Sequence, residues 1–181
     1  MQGRMSKLAV ALLAVILLVP SVLASDQHGE LEVVEYVQLD RYLGQWYEVA
    51  SIPQFFQKGC ENSRAHYAKI RNYIRVKNEC EVKGKTKKAR GRAWVVDDVS
   101  NAKLKVQFFW PFTGDYWIIE LDEGYRYAVV GDPSREYLWI LSRTPEISDE
   151  LYRQLLNTIK VKHGYDTSKI QKTIRRGHKG V

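Results

Sequence analysis

The sequence contains few of the residues on which metal binding and catalysis usually depend. Only two of its 181 residues are cysteine and four are histidine. The histidines (His28, His66, His163 and His178) are scattered, without the close spacing of metal ligands. A G-x-S-x-G nucleophile motif and a glycine-rich phosphate-binding loop are both absent. We therefore expect no metal, no organic cofactor and no enzymatic activity.

Long apolar runs are also scarce, and the one that occurs lies at the N-terminus. Leu8–Leu23 is apolar over 16 residues, interrupted by one proline and preceded by Arg4 and Lys7. A membrane-spanning helix needs about 20 apolar residues, whereas a shorter run after basic residues is typical of a signal peptide. We predict a signal peptide over residues 1–24 and an exported protein, periplasmic or secreted. A retained N-terminal anchor is the alternative.

The charge is basic and locally concentrated. The net charge of +7 becomes +5 when two basic residues, Arg4 and Lys7, leave with the signal peptide. Six further basic residues crowd ten positions: Lys83, Lys85, Lys87, Lys88, Arg90 and Arg92. Such a cluster suits an anionic membrane surface; alternatively it is a solvated hairpin whose charges keep a sheet edge from pairing. Because the protein is exported, we expect no nucleic-acid partner.

Both cysteines, Cys60 and Cys80, lie beyond the signal-like segment. An even number of cysteines in an exported protein suggests a disulfide. If strands flank a midpoint near residues 70–72, the two cysteines lie at the same end of a hairpin, and bridging needs Cα atoms within about 7 Å. We predict a Cys60–Cys80 disulfide, with two free thiols as the alternative.

Apolar and polar residues alternate through most of the chain after residue 44. One such segment, Tyr73–Asn78, places Ile74, Val76 and Asn78 on one face. In Lys103–Trp110 the apolar face comprises Leu104, Val106, Phe108 and Trp110. Further strand-like segments span residues 46–52, 116–121, 125–131 and 137–143. Turn residues separate them near 72, 97–101, 114–115, 122–124 and 132–134. Regularly spaced short strands of this kind predict an all-β barrel or sandwich.

One amphipathic helix follows the strands. Ser148 is a suitable N-cap, and Leu151, Leu155 and Ile159 recur at every fourth residue to form an apolar stripe. Gly164 is a suitable stop residue after the last turn. The order of elements therefore places a single helix on the outside of the β structure.

The rest of the chain divides into three parts. Residues 25–36 are polar and acidic and predict a loose N-terminal arm. Residues 37–43 predict a helical turn that leads into the first strand. A single domain over residues 37–173 holds the strands and the helix, and residues 174–181 predict a mobile basic tail.

Two segments resemble the opening and closing motifs of the lipocalins. Gly44–Ala50 reads GQWYEVA, and Tyr137–Arg143 reads YLWILSR. Between them, ordered segments such as Phe109–Phe112 and Asp115–Ile119 are similar to the bacterial outer-membrane lipocalins, a subgroup related to apolipoprotein D and the plant temperature-induced lipocalins. The resemblance covers residues 37–173.

This resemblance implies an eight-stranded antiparallel up-and-down β-barrel with one C-terminal α-helix packed outside. In the family, the residue at Trp46 fills the closed end of the barrel and the residue at Arg143 packs over it, while Gly44 belongs to the same motif. Many bacterial members carry a lipid on a cysteine just after the signal peptide. Because no cysteine lies within residues 18–30, we expect a form without that anchor.

The functional part of such a protein is the barrel cavity. Alternation and the resemblance together predict ten ligand contacts: Tyr67, Asn78, Trp139, Phe108, Trp110, Tyr116, Val106, Ile74, Ala65 and Tyr137. Three of them (Tyr67, Asn78 and Trp139) match positions that contact ligand in the apolipoprotein D relatives. An apolar, aromatic cavity suits a fatty acid or a lysophospholipid whose head group lies near the mouth. The alternative for each aromatic is that it only fills the core.

Other interpretations stay open at this stage. A few lipocalins are enzymes, so a thiol-dependent, isomerase-like enzyme using Cys60 is one. A membrane-surface module using the basic cluster at residues 83–92 is another. Heme, bilin, retinoid and sterol ligands are not excluded, and homodimers occur in the subgroup. The loop Pro53–Gly59, with the adjacent Phe55 and Phe56, is a candidate lid over the mouth.

Overall fold

The computed structural model describes residues 29–177, and the predicted signal peptide lies outside this range. Within it, the chain forms nine strands, two α-helices and two 3₁₀ turns. The helices are α1 (Leu39–Tyr42) and α2 (Asp149–Val161), and the 3₁₀ turns span Phe55–Gln57 and Thr167–Lys169. The strands are β1 (Gly44–Ser51), β2 (Glu61–Ile70), β3 (Tyr73–Val82), β4 (Lys85–Val95), β5 (Lys103–Phe109), β6 (Phe112–Leu121), β7 (Tyr127–Gly131), β8 (Leu138–Ser142) and β9 (Gln171–Lys172).

The sheet closes on itself. Each strand from β2 to β7 pairs antiparallel with the next one in the sequence, β8 pairs with β1, and β1 pairs with β2. This is an eight-stranded up-and-down barrel, to which β9 adds along β1. The prediction of an all-β barrel of this type, with one helix outside, is confirmed. Closure removes the free edges that an open sheet would expose.

Strand alternation divides the apolar side chains into two cores. One core fills the inside of the barrel, and its members include Trp46, Tyr67, Ile118, Val130 and Leu141. The other lies between the barrel wall and α2, and its members include Ile119, Val129, Ile140, Leu155 and Ile159. Neighbouring residues such as Ile118 and Ile119 therefore belong to different cores, as a period of two requires.

Helix α2 begins and packs as its sequence predicts. The Ser148 hydroxyl accepts a hydrogen bond from the Leu151 amide at 3.2 Å, a cap that stabilises a helix by about 1 kcal/mol. Leu155 and Ile159 are buried against the barrel. Gly164 follows the helix with a φ of 70°, a conformation that glycine adopts without strain.

The closed end of the barrel is built around Trp46 and Arg143. The Arg143 guanidinium carbon lies 3.8 Å from the centre of the Trp46 ring. The same guanidinium donates hydrogen bonds to the carbonyls of Arg41, Gln45 and Tyr125. Burial lowers the pKa of Arg143 from its usual value. The structural role that the resemblance implied for these two residues therefore agrees with their contacts.

One predicted turn is wrong. Gly114 and Asp115 were expected to form a turn, but both lie inside β6, where Gly114 is opposite Val106. The chain instead turns at Trp110–Pro111, between β5 and β6. Proline has no amide hydrogen to donate to a sheet ladder, which explains why the turn forms there and not at the more typical Gly-Asp pair.

The N-terminal arm is not loose over the part that the structure describes. Leu31 is 2% exposed and belongs to the core beneath α2. The Val34 amide donates to the Ile118 carbonyl at 3.0 Å, and the Val37 amide donates to the Ser100 carbonyl at 2.8 Å. These bonds fix the arm against the barrel wall.

The C-terminal segment is also more ordered than predicted. Strands β1 and β2 pair with each other only over Gly44–Tyr47 of β1, at the closed end of the barrel. Nearer the open end the two strands are separated by a gap, and residues 171–176 fill it. We call this gap the seam. The Asn62 amide donates to the Ile174 carbonyl at 2.9 Å, and the Asn62 side chain bonds the Arg176 amide and carbonyl, each at 3.2 Å. The prediction that a mobile tail begins at residue 174 is wrong, because the strand backbones need these partners; residues 178–181 lie outside the described range.

Candidate ligand cavity

The barrel has one closed and one open end. Helix α1 and Arg143 cover the closed end. The connections at residues 52–60, 83–84, 110–111 and 132–137 surround the open end. A ligand can therefore enter between these four connections.

A small apolar cavity lies in the closed half of the barrel. Its volume is ≈ 20 Å³, which is room for about one water molecule. The lining residues are Leu39, Tyr42, Tyr67, Ile74, Val76, Ala93, Leu104, Val106, Tyr116 and Ile118. Because these side chains fill most of the cross-section, the closed half leaves little room for a ligand.

Three tyrosine hydroxyls meet inside the barrel. The Tyr116 hydroxyl lies 2.8 Å from that of Tyr42 and 2.9 Å from that of Tyr67. Each phenol has one hydrogen to donate, so two hydrogen bonds use two of the three hydrogens. One O–H donor is therefore left for a group other than these phenols, and no acceptor for it occurs among residues 29–177. A polar atom of a ligand, or a water, can accept it.

These tyrosines act as neutral donors. Burial raises the pKa of Tyr67 to about 12. It also raises the pKa of Tyr42 and of Tyr116 well above the ordinary value of 10.0. The hydroxyls consequently stay protonated at neutral pH and carry no charge that would attract a cation or attack a substrate.

Asn78 adds an unpaired acceptor further toward the open end. It lies opposite Ala65 of β2 and Ala89 of β4, so its side chain shares the inner face with them. The Asn78 Oδ1 atom is buried and has no hydrogen-bond partner among the described residues. A buried acceptor without a partner costs about 1–3 kcal/mol, which a hydroxyl or amine of a ligand would offset.

Two stacked aromatic rings line the opposite wall near the mouth. The Tyr137 and Trp139 rings lie 6.2 Å apart at an interplanar angle of 24°. The Trp139 indole donates to Gln57 Oε1 at 3.1 Å, and Gln57 Nε2 donates to Glu48 Oε2 at 2.8 Å. The 3₁₀ turn in the loop after β1 is thereby held against β8 and β1.

Phe108 covers the inner face of β4 at a position where only glycine fits. A Cβ added to Gly91 would lie 2.6 Å from the Gln107 carbonyl oxygen and 2.9 Å from the Phe108 ring. Real Cβ atoms do not approach backbone oxygens that closely. The absence of a side chain at Gly91 therefore allows the Phe108 ring to approach the wall closely.

Lysines of the basic cluster are divided between the two faces of β4. Lys87 lies opposite Cys80 and Lys85 lies opposite Val82, so both share the inner face of the β3–β4 hairpin. Lys88 lies on the outer face, where its ammonium is 3.7 Å from Glu79. The mouth of the barrel thus has positive charge on its inner side.

The predicted disulfide is confirmed. Cys60 and Cys80 are bonded, with Cα atoms 5.4 Å apart, and they connect the loop before β2 to β3. A nucleophilic cysteine must be a free thiolate. The hypothesis of a thiol enzyme using Cys60 therefore disagrees with this structure.

Most of the ten predicted contacts share the inside of the barrel. Tyr67, Tyr116, Val106 and Ile74 line the small cavity. Nearer the mouth the inner side carries Ala65, Asn78, Phe108, Trp139 and Tyr137. Trp110 is a wrong prediction as a wall residue, because it is 84% exposed in the turn after β5. Alternation fails there because the β5–β6 ladder is irregular between Val106 and Phe109.

Three residues of the site were not predicted. Tyr42 belongs to α1, outside any strand, so no alternation pattern points to it. Gln57 belongs to a 3₁₀ turn, and the same reason applies. Glu48 is different: it follows Trp46 by two residues on β1 and is 9% exposed, so alternation from Trp46 could have placed it inside.

Two further observations concern residues 29–177. In that range no three His, Cys, Asp or Glu side chains gather as a metal ion would need. None of its helices combines the length and apolar character that crossing a bilayer requires.

A sequence profile described as a lipocalin-like domain matches residues 37–175. This chain belongs to the lipocalin family. Temperature-induced lipocalin-1 of Arabidopsis thaliana is 44% identical to it over 154 residues, which are 80% of this chain and 82% of the plant protein. The outer membrane lipoprotein Blc of Vibrio cholerae is 40% identical over 165 residues, 87% of this chain and 95% of the other. Apolipoprotein D of Bos taurus is 30% identical over 127 residues, which are 65% of this chain and 67% of the bovine protein.

Solved structures agree with the fold. Insecticyanin from the tobacco hornworm, Manduca sexta, superposes with a TM-score of 0.67 at 18% identity, over 84% of this chain and 87% of its own. Lobster apocrustacyanin A1 superposes with a TM-score of 0.63 at 20% identity, over 77% of this chain and 81% of its own. The resemblance to bacterial outer-membrane lipocalins and their relatives is confirmed. Lipocalins generally bind small hydrophobic ligands, and the Vibrio cholerae relative is an outer membrane lipoprotein.

Proposed function

We propose that this lipocalin binds a single-chain lipid, a fatty acid or a lysophospholipid, in the open half of its barrel. The observation that carries the proposal is the distribution of polarity along the barrel axis. Apolar and aromatic side chains line the wall, while polar groups occur at the tyrosine hydroxyls, at Asn78 and at the lysines of the mouth. A long, thin amphiphile matches these environments when its tail lies along the apolar wall, its head group lies at the mouth, and one water in the small cavity accepts the remaining tyrosine hydrogen.

The filled closed half argues against a broad ligand. Tyr42, Tyr67 and Tyr116 meet across the barrel and leave ≈ 20 Å³. A flat tetrapyrrole or sterol would need that cross-section, whereas an acyl chain needs only a narrow channel. Among the described histidines, His66 is exposed and the His163 ring bonds Glu120 on the outer wall. Neither is an inward axial ligand for heme.

The ligand is oriented with its tail toward the tyrosines. Each methylene buried against the apolar wall stabilises the complex by about 0.8 kcal/mol before ordering costs. The anionic head then lies at the mouth, where Lys87 and Lys85 share the inner face. Asn78 Oδ1 lies between these levels and accepts a hydrogen bond from a hydroxyl. A lysophospholipid has a glycerol hydroxyl near its head, which favours it over a fatty acid.

Substitution at two adjacent positions tests the proposal. Ala65 is 8% exposed on the inner face of β2, while its neighbour His66 is exposed on the outer face. We expect Ala65→Phe to weaken binding of fluorescent lysophospholipid and fatty acid at least tenfold, because the ring occupies the channel. His66→Phe on the same strand is the matched control and should bind as the wild type does.

Two results would contradict the proposal. One is equal affinity of Ala65→Phe and His66→Phe when both have native circular dichroism. The other is wild-type protein, purified without detergent, that holds no lipid by native mass spectrometry and takes up neither probe. Where Ala65→Phe does not fold, Ala65→Leu supplies a smaller obstruction and a smaller loss of affinity.

The preference for a lysophospholipid has its own test. Asn78→Leu removes the buried acceptor while keeping a similar volume. We expect it to weaken lysophospholipid binding about tenfold, the value of one lost hydrogen bond to a buried group, and to leave fatty-acid binding nearly unchanged. Equal losses for both ligands would show that Asn78 does not recognise the glycerol hydroxyl.

The exposed basic cluster favours contact with an anionic membrane surface as a second candidate. Within residues 29–177, Lys88 is the member of the stretch 83–90 that has a carboxylate partner, Glu79. The other cations of this stretch are solvated and attract anionic head groups. Binding to phosphatidylglycerol vesicles that decreases as salt is raised would support this contact.

A further inference from the structure

The exposed aromatic side chains of this lipocalin are concentrated at its open end. Every exposed phenylalanine and tryptophan of residues 29–177 lies in or directly beside one of two connections there. Phe55 and Phe56, in the β1–β2 connection, are 88% and 59% exposed. Phe109, Trp110 and Phe112, around the β5–β6 turn, are 77%, 84% and 76% exposed. We call these five side chains the aromatic rim. Each half of the rim is a cluster of exposed apolar side chains, and such clusters usually mark a binding surface.

The basic cluster lies between the two halves of the rim. Neighbouring connections follow the strand order, so the β3–β4 hairpin is between the β1–β2 and β5–β6 connections. Its tip and second strand, β4, carry Lys83, Lys85, Lys87, Lys88 and Arg90, all exposed. The fourth connection, residues 132–137, is polar and includes Asp132 and Glu136. Three of the four connections therefore present aromatic or basic side chains in one direction.

This combination matches the interface of an anionic bilayer. Tryptophan and other aromatic residues favour the level of the lipid head groups. Lysine and arginine near an anionic leaflet are attracted to it within a Debye length. A second copy of this chain is a poorer occupant, because a symmetric contact would bring two basic hairpins together.

We propose that the open end docks on an anionic phospholipid bilayer, with the aromatic rim in the interface and the basic hairpin on the head groups. Docking in this way leaves the polar 132–137 connection in water. The mouth of the barrel then opens onto the leaflet. Provided that the barrel binds a single-chain lipid as proposed above, the lipid exchanges with the membrane by contact and does not cross bulk water.

The 3₁₀ turn connects docking with the cavity. Phe55 and Phe56 of the rim directly precede Gln57, which bonds the Trp139 indole and Glu48. A rim that moves into the interface therefore pulls on the contact that holds this loop over Trp139. Docking and access to the cavity are linked through that one amide side chain.

Vesicle flotation tests the docking face. The probes are vesicles of phosphatidylcholine alone and of phosphatidylcholine mixed with phosphatidylglycerol. We expect wild-type protein to float with the anionic vesicles only. Phe55→Ser/Phe56→Ser and Trp110→Ser should each reduce the bound fraction at least tenfold at every salt concentration. Lys83→Glu/Arg90→Glu should reduce it at low salt and remove most of the salt dependence.

Matched controls lie at the closed end. Val99 is 82% exposed there, and Arg75 is exposed on β3 near the same end. Val99→Ser and Arg75→Glu change one exposed apolar side chain and one exposed charge, and we expect flotation to be unchanged. An equal loss in these controls, or wild-type protein that does not float with anionic vesicles, would overturn the proposal.

Insertion of the rim has a direct spectroscopic signal. Lipids brominated near the head group should quench the emission that Trp110 contributes, measured as the difference between wild type and Trp110→Phe. Quenching that is identical in the two proteins would contradict insertion. Concentration-dependent dimerisation that Trp110→Ser removes, without vesicle binding, would assign the rim to a second copy and overturn docking.

The docking proposal and the proposed binding of lipid in the cavity can be tested separately. Each rim variant is first titrated with a fluorescent lysophospholipid in the absence of vesicles, where we expect wild-type affinity. Transfer of that ligand from protein to acceptor vesicles is then followed. We expect the wild-type rate to rise in proportion to the vesicle concentration and the rate of the rim variants to be independent of it. A wild-type protein that floats but does not bind lipid refutes only the cavity function.

Discussion

The tyrosine cluster predicts an unequal response to the removal of single hydroxyls. Tyr116 bonds both Tyr42 and Tyr67, whereas each of those two bonds only Tyr116 within the cluster. Tyr116→Phe therefore leaves two buried hydroxyls without their partner, at about 1–3 kcal/mol each. The adjacent cavity of ≈ 20 Å³ admits about one water that satisfies one of them. We expect a loss of about 2–3 kcal/mol in the free energy of unfolding.

The matched controls are the two terminal hydroxyls. Tyr42→Phe and Tyr67→Phe each remove one hydrogen bond and leave Tyr116 with its other partner. The net contribution of one such bond is about 1 kcal/mol. For a chain of this size 1 kcal/mol shifts Tm by about 2–4 °C. Differential scanning calorimetry should therefore show Tyr116→Phe melting about 4–12 °C below wild type, and each control only about 2–4 °C below it.

The same cluster predicts alkaline unfolding. Because burial raises the pKa of Tyr67 to about 12, the folded state keeps its proton over a range in which the unfolded chain, with a pKa of about 10, releases it. The stability due to the neutral phenol is complete below about pH 10 and is lost as the pH rises toward 12. The reasoning is refuted by a Tyr116→Phe variant that is no less stable than Tyr42→Phe. Tyrosine absorbance showing that all phenols ionise near pH 10 in folded protein would refute it equally.

Three shorter predictions concern charge, covalent closure and the seam. The Lys77 ammonium, with Arg64, lowers the pKa of Glu79 from 4.5 to about 2. The ionised Glu79 carboxylate therefore stabilises the folded state fully above about pH 4.5, and this stabilisation is lost as the pH falls toward 2. Glu79→Gln should reduce the loss of stability at acid pH, measured by unfolding followed with tryptophan fluorescence. Replacing both Cys60 and Cys80 by serine opens a loop of sequence separation 20 and should cost about 3 kcal/mol, and wild type in reductant should melt at the same temperature as the double variant. Arg175 donates a hydrogen bond to the Glu48 carbonyl at 2.6 Å across the seam. Arg175→Ala should therefore speed amide hydrogen exchange in the open-end half of β1 and leave exchange in its closed-end half unchanged. Equal acceleration in both halves would contradict a local role for Arg175.

The all-β fold could be predicted because its signals are local and repeated, whereas the choice of a closed barrel came from the lipocalin resemblance. Period-two alternation assigns inward and outward side chains strand by strand, and Ile74 and Val76 are both buried as that pattern requires. The pair Trp46 and Arg143 fixes which end is closed. The helix has its own signals in Ser148 and its apolar stripe. The strand and helix predictions need only neighbours in the sequence, whereas the roles of Trp46 and Arg143 came from the lipocalin resemblance.

The failed predictions depend on contacts between distant residues or on ladder irregularities. Trp110 lies outside because the β5–β6 ladder shifts and the chain turns at Pro111, and neither event changes the apolar pattern. Tyr42 reaches the cavity from α1, over a separation of 74 residues from its partner Tyr116. Residues 174–176 look like a basic tail in sequence. Their partner Asn62 is more than a hundred residues away, so no local pattern reveals the seam.

The two halves of the barrel consequently have different roles. The closed half is fixed by Arg143 over Trp46 and by three buried phenols, and it leaves space for about one water. In the proposed complex, an acyl chain that stops at this floor has its head group at the mouth, where Lys87 and the aromatic rim lie. The depth of the floor therefore sets how far the ligand protrudes, and a protruding amphiphile is protected from water only when the mouth meets a membrane. Substitutions that deepen the floor should lengthen the preferred chain, while substitutions in the rim should change the rate of exchange and leave chain length unaffected.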